Sequence, residues 1–114
     1  MAAYDLVIRG GTVVTAADSS DCDIGVRDGR VVALGAGLET GEREIDATGK
    51  LVLPGGIDSH CHIEQMSGMG VMCADDFHSG TIAAAYGGTT TIIPFAIQQR
   101  GKSLRNAVDD YRKL

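Results

Sequence analysis

Apolar and polar residues alternate over short runs in the first half of the chain, then settle into longer periods. Tyr4–Arg9 alternates in part and meets Gly10-Gly11, and Thr12–Thr15 follows as a second short strand. Asp23–Arg27 and Arg30–Leu34 flank Asp28-Gly29. A two-residue Asp-Gly between apolar runs predicts a hairpin, because both central residues of a type I′ turn need positive φ. Glu44–Asp46 and Leu51–Leu53 complete the series, so residues 1–54 read as an antiparallel β-module.

The pattern changes after Pro54-Gly55-Gly56. Ile57–His62 reads as a buried strand, and Glu64–Ala74, rich in Gly, Ser and Met, as an irregular stretch. Asp75 or Asp76 is placed to cap a helix running to about Tyr86, with Gly87-Gly88 as its stop. Thr89–Ile93 is an unbroken β-branched run, the mark of a strand covered on both faces. Ser103 can cap a last helix whose apolar positions Leu104, Ala107, Val108, Tyr111 and Leu114 follow helical spacing. Residues 55–114 therefore predict β-α-β-α and a parallel sheet. Since parallel strands need neighbours and a complete (β/α)₈ barrel takes about 250 residues, the pattern fits the start of such a barrel. A small open α/β domain is the competing reading.

Composition narrows the function classes. Ten basic and fifteen acidic residues leave a net charge of −5 in 114 residues, which lacks the basic face of a nucleic-acid binder. The opening residues show no secretory leader, and no apolar run approaches the roughly 20 residues that span a bilayer. Cys22, Cys61 and Cys73 form neither a CxxC pair nor a disulfide framework, which points to reduced thiols in the cytoplasm.

The candidate chemistry lies in Gly56-Ile57-Asp58-Ser59-His60-Cys61-His62. Residues i and i+2 of a strand share a face, so His60 and His62 aim the same way, with Asp58 beside them. Two such imidazoles can chelate one divalent ion. Asp58 can then accept from a histidine ring and orient it, or simply satisfy backbone groups at the strand start. Histidines on strands also occur as partly buried polar residues, and a catalytic zinc usually has three protein ligands. The remaining histidine, His78, falls on the predicted helix and reads as structural or surface. Cys61 points away from the pair, and Cys73 lies in the loop.

Gly55 through Glu64 resembles the signature of the cyclic amidohydrolases. Ala74-Asp75-Asp76-Phe77-His78-Ser79-Gly80-Thr81 and Ala83–Thr91 are similar to hydantoinases and dihydropyrimidinases in particular, and Tyr4–Gly11 resembles the family's opening strand. The resemblance implies a (β/α)₈ TIM barrel carrying a small β-sandwich. Residues 1–54 would be the N-terminal part of the sandwich, and residues 55–114 the first β-α-β-α units of the barrel. It implies two metal ions, commonly zinc, bridged by a carboxylated lysine and a hydroxide, with His60 and His62 on the more buried ion. Met66, Met69, Val71 and Met72 fall on a loop that shapes the substrate pocket. The implied reaction opens a hydantoin or dihydropyrimidine ring to an N-carbamoyl amino acid, in a cytoplasmic homotetramer. The bridging lysine, further histidines and catalytic aspartate belong to later barrel strands, and Lys50, Lys102 and Lys113 do not match them. The isolated 114 residues are therefore expected to be inactive. Allantoinase, dihydroorotase, a non-catalytic scaffold relative and a stand-alone module are the alternatives.

Overall fold

The computed structural model describes residues 2–114. It divides into two compact units, residues 1–54 and residues 55–114.

The first unit is one sheet. β1 (Tyr4–Val14) pairs antiparallel with β2 (Ser19–Arg27), which pairs antiparallel with β3 (Arg30–Gly35). On its other edge β1 pairs in parallel with β4 (Gly41–Asp46) and then with β5 (Leu51–Val52). The sheet is thus mixed, and the expectation of a purely antiparallel module is corrected. Parallel pairing joins segments far apart in sequence, and no local pattern encodes it. A second correction concerns Gly10-Gly11, which does not end the first strand. The register slips there between Ile8 and Gly11, and Gly10 takes φ +66°. A glycine at positive φ accommodates the bulge, so the chain bends and continues as a single 11-residue strand. The Asp28-Gly29 hairpin forms as expected, with φ +51° and +69°.

Val7, Val13, Ile24 and Ala47 are buried in this unit. An ion network closes one edge of the core. The Arg9 guanidinium donates to both Glu44 carboxylate oxygens at 2.8 and 2.6 Å and to Asp23 Oδ2 at 3.2 Å. Asp23 also accepts from the Gly10 and Leu38 amides, at 3.1 and 3.3 Å. The Gly10 amide first, then the Leu38 amide and Arg9, holds the Asp23 carboxyl below its ordinary value against the opposing cost of burial.

The second unit is β-α-β-α. β6 (Gly56–Cys61) pairs in parallel with β7 (Thr89–Pro94), with Gly56 opposite Thr89 and Cys61 opposite Pro94. Between them runs α1 (Phe77–Tyr86), and α2 (Leu104–Tyr111) follows. Both helices begin with a capping box. Asp76 accepts from the Ser79 amide while Ser79 reaches back to the Asp76 amide, and Ser103 and Asn106 repeat the exchange. Gly80 sits where α1 meets Ile63: a Cβ there would lie 3.0 Å from Ile63 Cδ1, so any larger side chain would make Ile63 shift by a few tenths of an ångström.

β6 and β7 are not the buried strands their composition predicts. Ile57 is 68% exposed and Ile93 54%. Among the described residues each strand pairs only with the other, and the faces of this two-stranded sheet are left largely uncovered.

Candidate metal centre

His60 lies near the end of β6 and His62 just beyond it. Their ring centroids are 5.3 Å apart, and both rings are exposed. Two imidazoles that share one ion tetrahedrally, at zinc–nitrogen distances of about 2.0–2.1 Å, have centres on the order of 5 Å apart. The observed spacing fits such a chelate. Phe95, immediately after β7, packs on both: its ring stacks on His60 at 5.0 Å and is tilted to His62 at 5.5 Å. Its amide donates to the Cys61 carbonyl at 2.9 Å, which ties it to the end of β6.

Asp58 Oδ1 accepts from the His60 amide at 3.0 Å. Its carboxylate thus serves the backbone of the strand that carries the pair. Cys61 is half-buried, and burial first, then the nearby Asp58 charge, pushes its thiol up. A thiol so raised is neither a ready nucleophile nor a ready ligand. His78 is exposed on α1. Among the described residues, no group of three or more His, Cys, Asp or Glu side chains converges on one point. The two histidines stand as a pair.

The turn after His62 is fixed from three sides. Glu64 takes φ +50°, a left-handed conformation that costs a non-glycine residue about 1–2 kcal/mol. Its carboxylate offsets this by accepting from the Phe77 amide at the start of α1 (2.8 Å), and its own amide donates to the Asp75 carbonyl (2.9 Å). The Tyr111 hydroxyl of α2 donates to the Ile63 carbonyl at 2.6 Å. Gln65, only 7% exposed, donates through Nε2 to the Phe95 carbonyl at 2.8 Å, while its Oε1 lies 3.3 Å from His62 Nδ1. Sequence reasoning missed both Gln65 and Phe95. A polar residue three positions after His62 was the one available signal, and its partner lies 30 residues away.

The stretch expected to be irregular is a small hairpin. Met66 and Met72 form an antiparallel bridge, the Ser67 amide donates to the Val71 carbonyl at 2.8 Å, and Gly70 turns the tip at φ +75°. Four apolar side chains stand out from it: Met66, Met69, Val71 and Met72 are all more than half exposed.

No family model matches the chain. Individual proteins do, and they are named hydantoinases and dihydropyrimidinases. In particular, the chain is 52% identical over 109 residues to the D-hydantoinase of Streptomyces coelicolor, and 52% identical over 113 residues to the dihydropyrimidinase of Rattus norvegicus. These alignments cover 90% and 94% of the chain but 23% and 22% of the relatives. Among solved structures, the D-hydantoinase of Bacillus sp. AR9 superposes with a TM-score of 0.84 at 50% identity, covering 95% of this chain and 24% of that one. The chain therefore matches an N-terminal portion of the hydantoinases and dihydropyrimidinases and spans about a fifth of their length.

Proposed function

We propose that this chain supplies the first two metal ligands of a metal-dependent cyclic-amide hydrolase, which opens a hydantoin or dihydropyrimidine ring to an N-carbamoyl amino acid. The observation that carries the reading is the His60–His62 pair, 5.3 Å between ring centres, at the end of the first strand of a β-α-β-α unit. Barrel active sites gather at the C-terminal ends of strands, which is where this pair stands. About half identity to enzymes named for this chemistry supports the substrate class.

In this reading residues 1–54 are part of a β-sandwich and residues 55–114 open a (β/α)₈ barrel. His60 and His62 hold the ion, with Asp58 fixing the strand beneath them. When bound, the metal, zinc being one of the ions that imidazole suits, would polarise the amide carbonyl and lower the pKa of water so that hydroxide is available. A second ion would need ligands, a carboxylated lysine among them, that the described residues do not supply. Met66, Met69, Val71 and Met72 offer flexible apolar side chains against which a variable ring substituent can pack. A homotetramer in the cytoplasm completes the reading. The free thiols of Cys22, Cys61 and Cys73 are consistent with a reducing compartment.

The test is made on the full-length protein that contains this chain. Metal content and hydrolysis of hydantoin and dihydrouracil are measured for the wild type, His60→Ala and His62→Ala. Each single substitution is expected to abolish turnover and to lower bound metal. Undiminished hydrolysis in both variants would remove the pair from the mechanism. A wild type that is folded and metal-free, with no turnover, would favour a scaffold role.

A further inference from the structure

We propose that Gln65 is a positioning residue that sets the tautomer of His62, holding the proton on Nδ1 and leaving the Nε2 lone pair free for a ligand. The donor and acceptor chemistry of the contacts fixes the assignment. The Phe95 carbonyl can only accept, so the side-chain atom 2.8 Å from it must be the Gln65 amide nitrogen. The amide oxygen then faces His62 Nδ1 at 3.3 Å, and an amide oxygen can only accept. The proton of a neutral His62 ring therefore belongs on Nδ1. Gln65 cannot readily turn away, because its amide is buried and its backbone carbonyl accepts from the Cys73 amide at 2.9 Å.

The same side chain joins two elements. Through Phe95 it is tied to the segment after β7, and Phe95 in turn packs on both imidazoles. One buried amide thus fixes the protonation pattern of one histidine and the ring wall behind both. A histidine that donates its second nitrogen to an oxygen acceptor is a more basic and better-aimed ligand. That consequence for metal affinity rests on the metal reading proposed above; the tautomer assignment does not.

The experiment is long-range ¹H–¹⁵N NMR on the full chain with labelled histidine, metal-free and at a pH where the ring is neutral. Zinc titration against a competing chelator accompanies it. The wild type is expected to show His62 protonated on Nδ1, and Gln65→Leu to move the population to the Nε2–H form and weaken zinc about tenfold. Gln65→Met removes the acceptor at nearly the same shape and is expected to shift the tautomer likewise, so it carries the test if Gln65→Leu does not fold. An Nε2–H wild type, or an unchanged tautomer in Gln65→Leu, overturns the proposal whatever zinc does. A shifted tautomer with no zinc bound by any variant upholds it and removes the metal reading instead.

Discussion

The two units are made of similar residues, yet they bury them differently. Among the described residues, four of the five buried apolar side chains, Val7, Val13, Ile24 and Ala47, belong to the first unit, and Ile63 alone to the second. In the first unit the long strand β1 has β2 on one edge and β4 and β5 on the other, and its Val7 and Val13 are buried. In the second, Ile57 and Ile93 lie on strands with a single partner each and remain open. Side chains stand perpendicular to a sheet, so burial follows from what covers its faces; hydrophobic composition only permits it. What is well fixed in the second unit is the turn after His62, held by hydrogen bonds and by the one buried side chain, Ile63, against Gly80 of α1.

The contrast can be broken most directly at matched aliphatic positions. Val7 is fully buried, and Val7→Ala is expected to destabilise the chain by about 2 kcal/mol. Ile57→Ala removes more atoms but from an open surface, and should change stability by less than about 0.5 kcal/mol. Chemical denaturation of each variant compares them, and equal losses would show that β6 is covered. In a longer protein that contains this chain, the barrel reading predicts that the Ile57 cost rises to the order of 2 kcal/mol or more.

Next in size is the cap of α1. Asp76→Ala removes the acceptor for the Ser79 amide and should cost about 1 kcal/mol. Because the Phe77 amide also binds Glu64, loosening the helix start should reach the turn that carries His62. Amide exchange of Phe77–Gly80 and of Ile63–Gln65 is expected to accelerate together. Faster exchange in the helix alone would separate the turn from its support.

The parts legible in the sequence are those with local causes. Asp28-Gly29 gives its turn through the need for positive φ, Asp76 and Ser103 announce their helices through side chains that reach three residues on, and the His60–His62 spacing follows from the pleat. Gly10-Gly11 misleads because the same residues serve a turn and a bulge, and only the partner strand distinguishes them. The parallel pairing of β1 with β4, and the Gln65 link to Phe95, join residues roughly 30 or more apart and leave no local trace. Thr89–Ile93 misleads in another way: its composition reports cover that β6 alone does not provide.

The smallest expected effect separates the units by pH. The folded-state values of Asp23 and Glu44 lie below the ordinary carboxylate range, Asp23 chiefly through the Gly10 amide and Glu44 chiefly through Arg9. A depressed carboxylate favours the fold while it is ionised. Its contribution is therefore complete above the unfolded values, about 4, and drains away as pH falls through the lowered folded ones. Arg9 is held more firmly protonated than usual and does not titrate in this window. Asp76 in the second unit is lowered too, mainly by the Ser79 amide, so α1 also weakens in acid. Asp23→Asn should then lower the stability of residues 1–54 near neutrality and flatten their acid dependence, while the acid loosening of α1 persists. Following both units by NMR from pH 7 down to pH 3 checks this. An acid response in residues 1–54 that survives Asp23→Asn undiminished would assign it to Glu44 and the Arg9 fork instead.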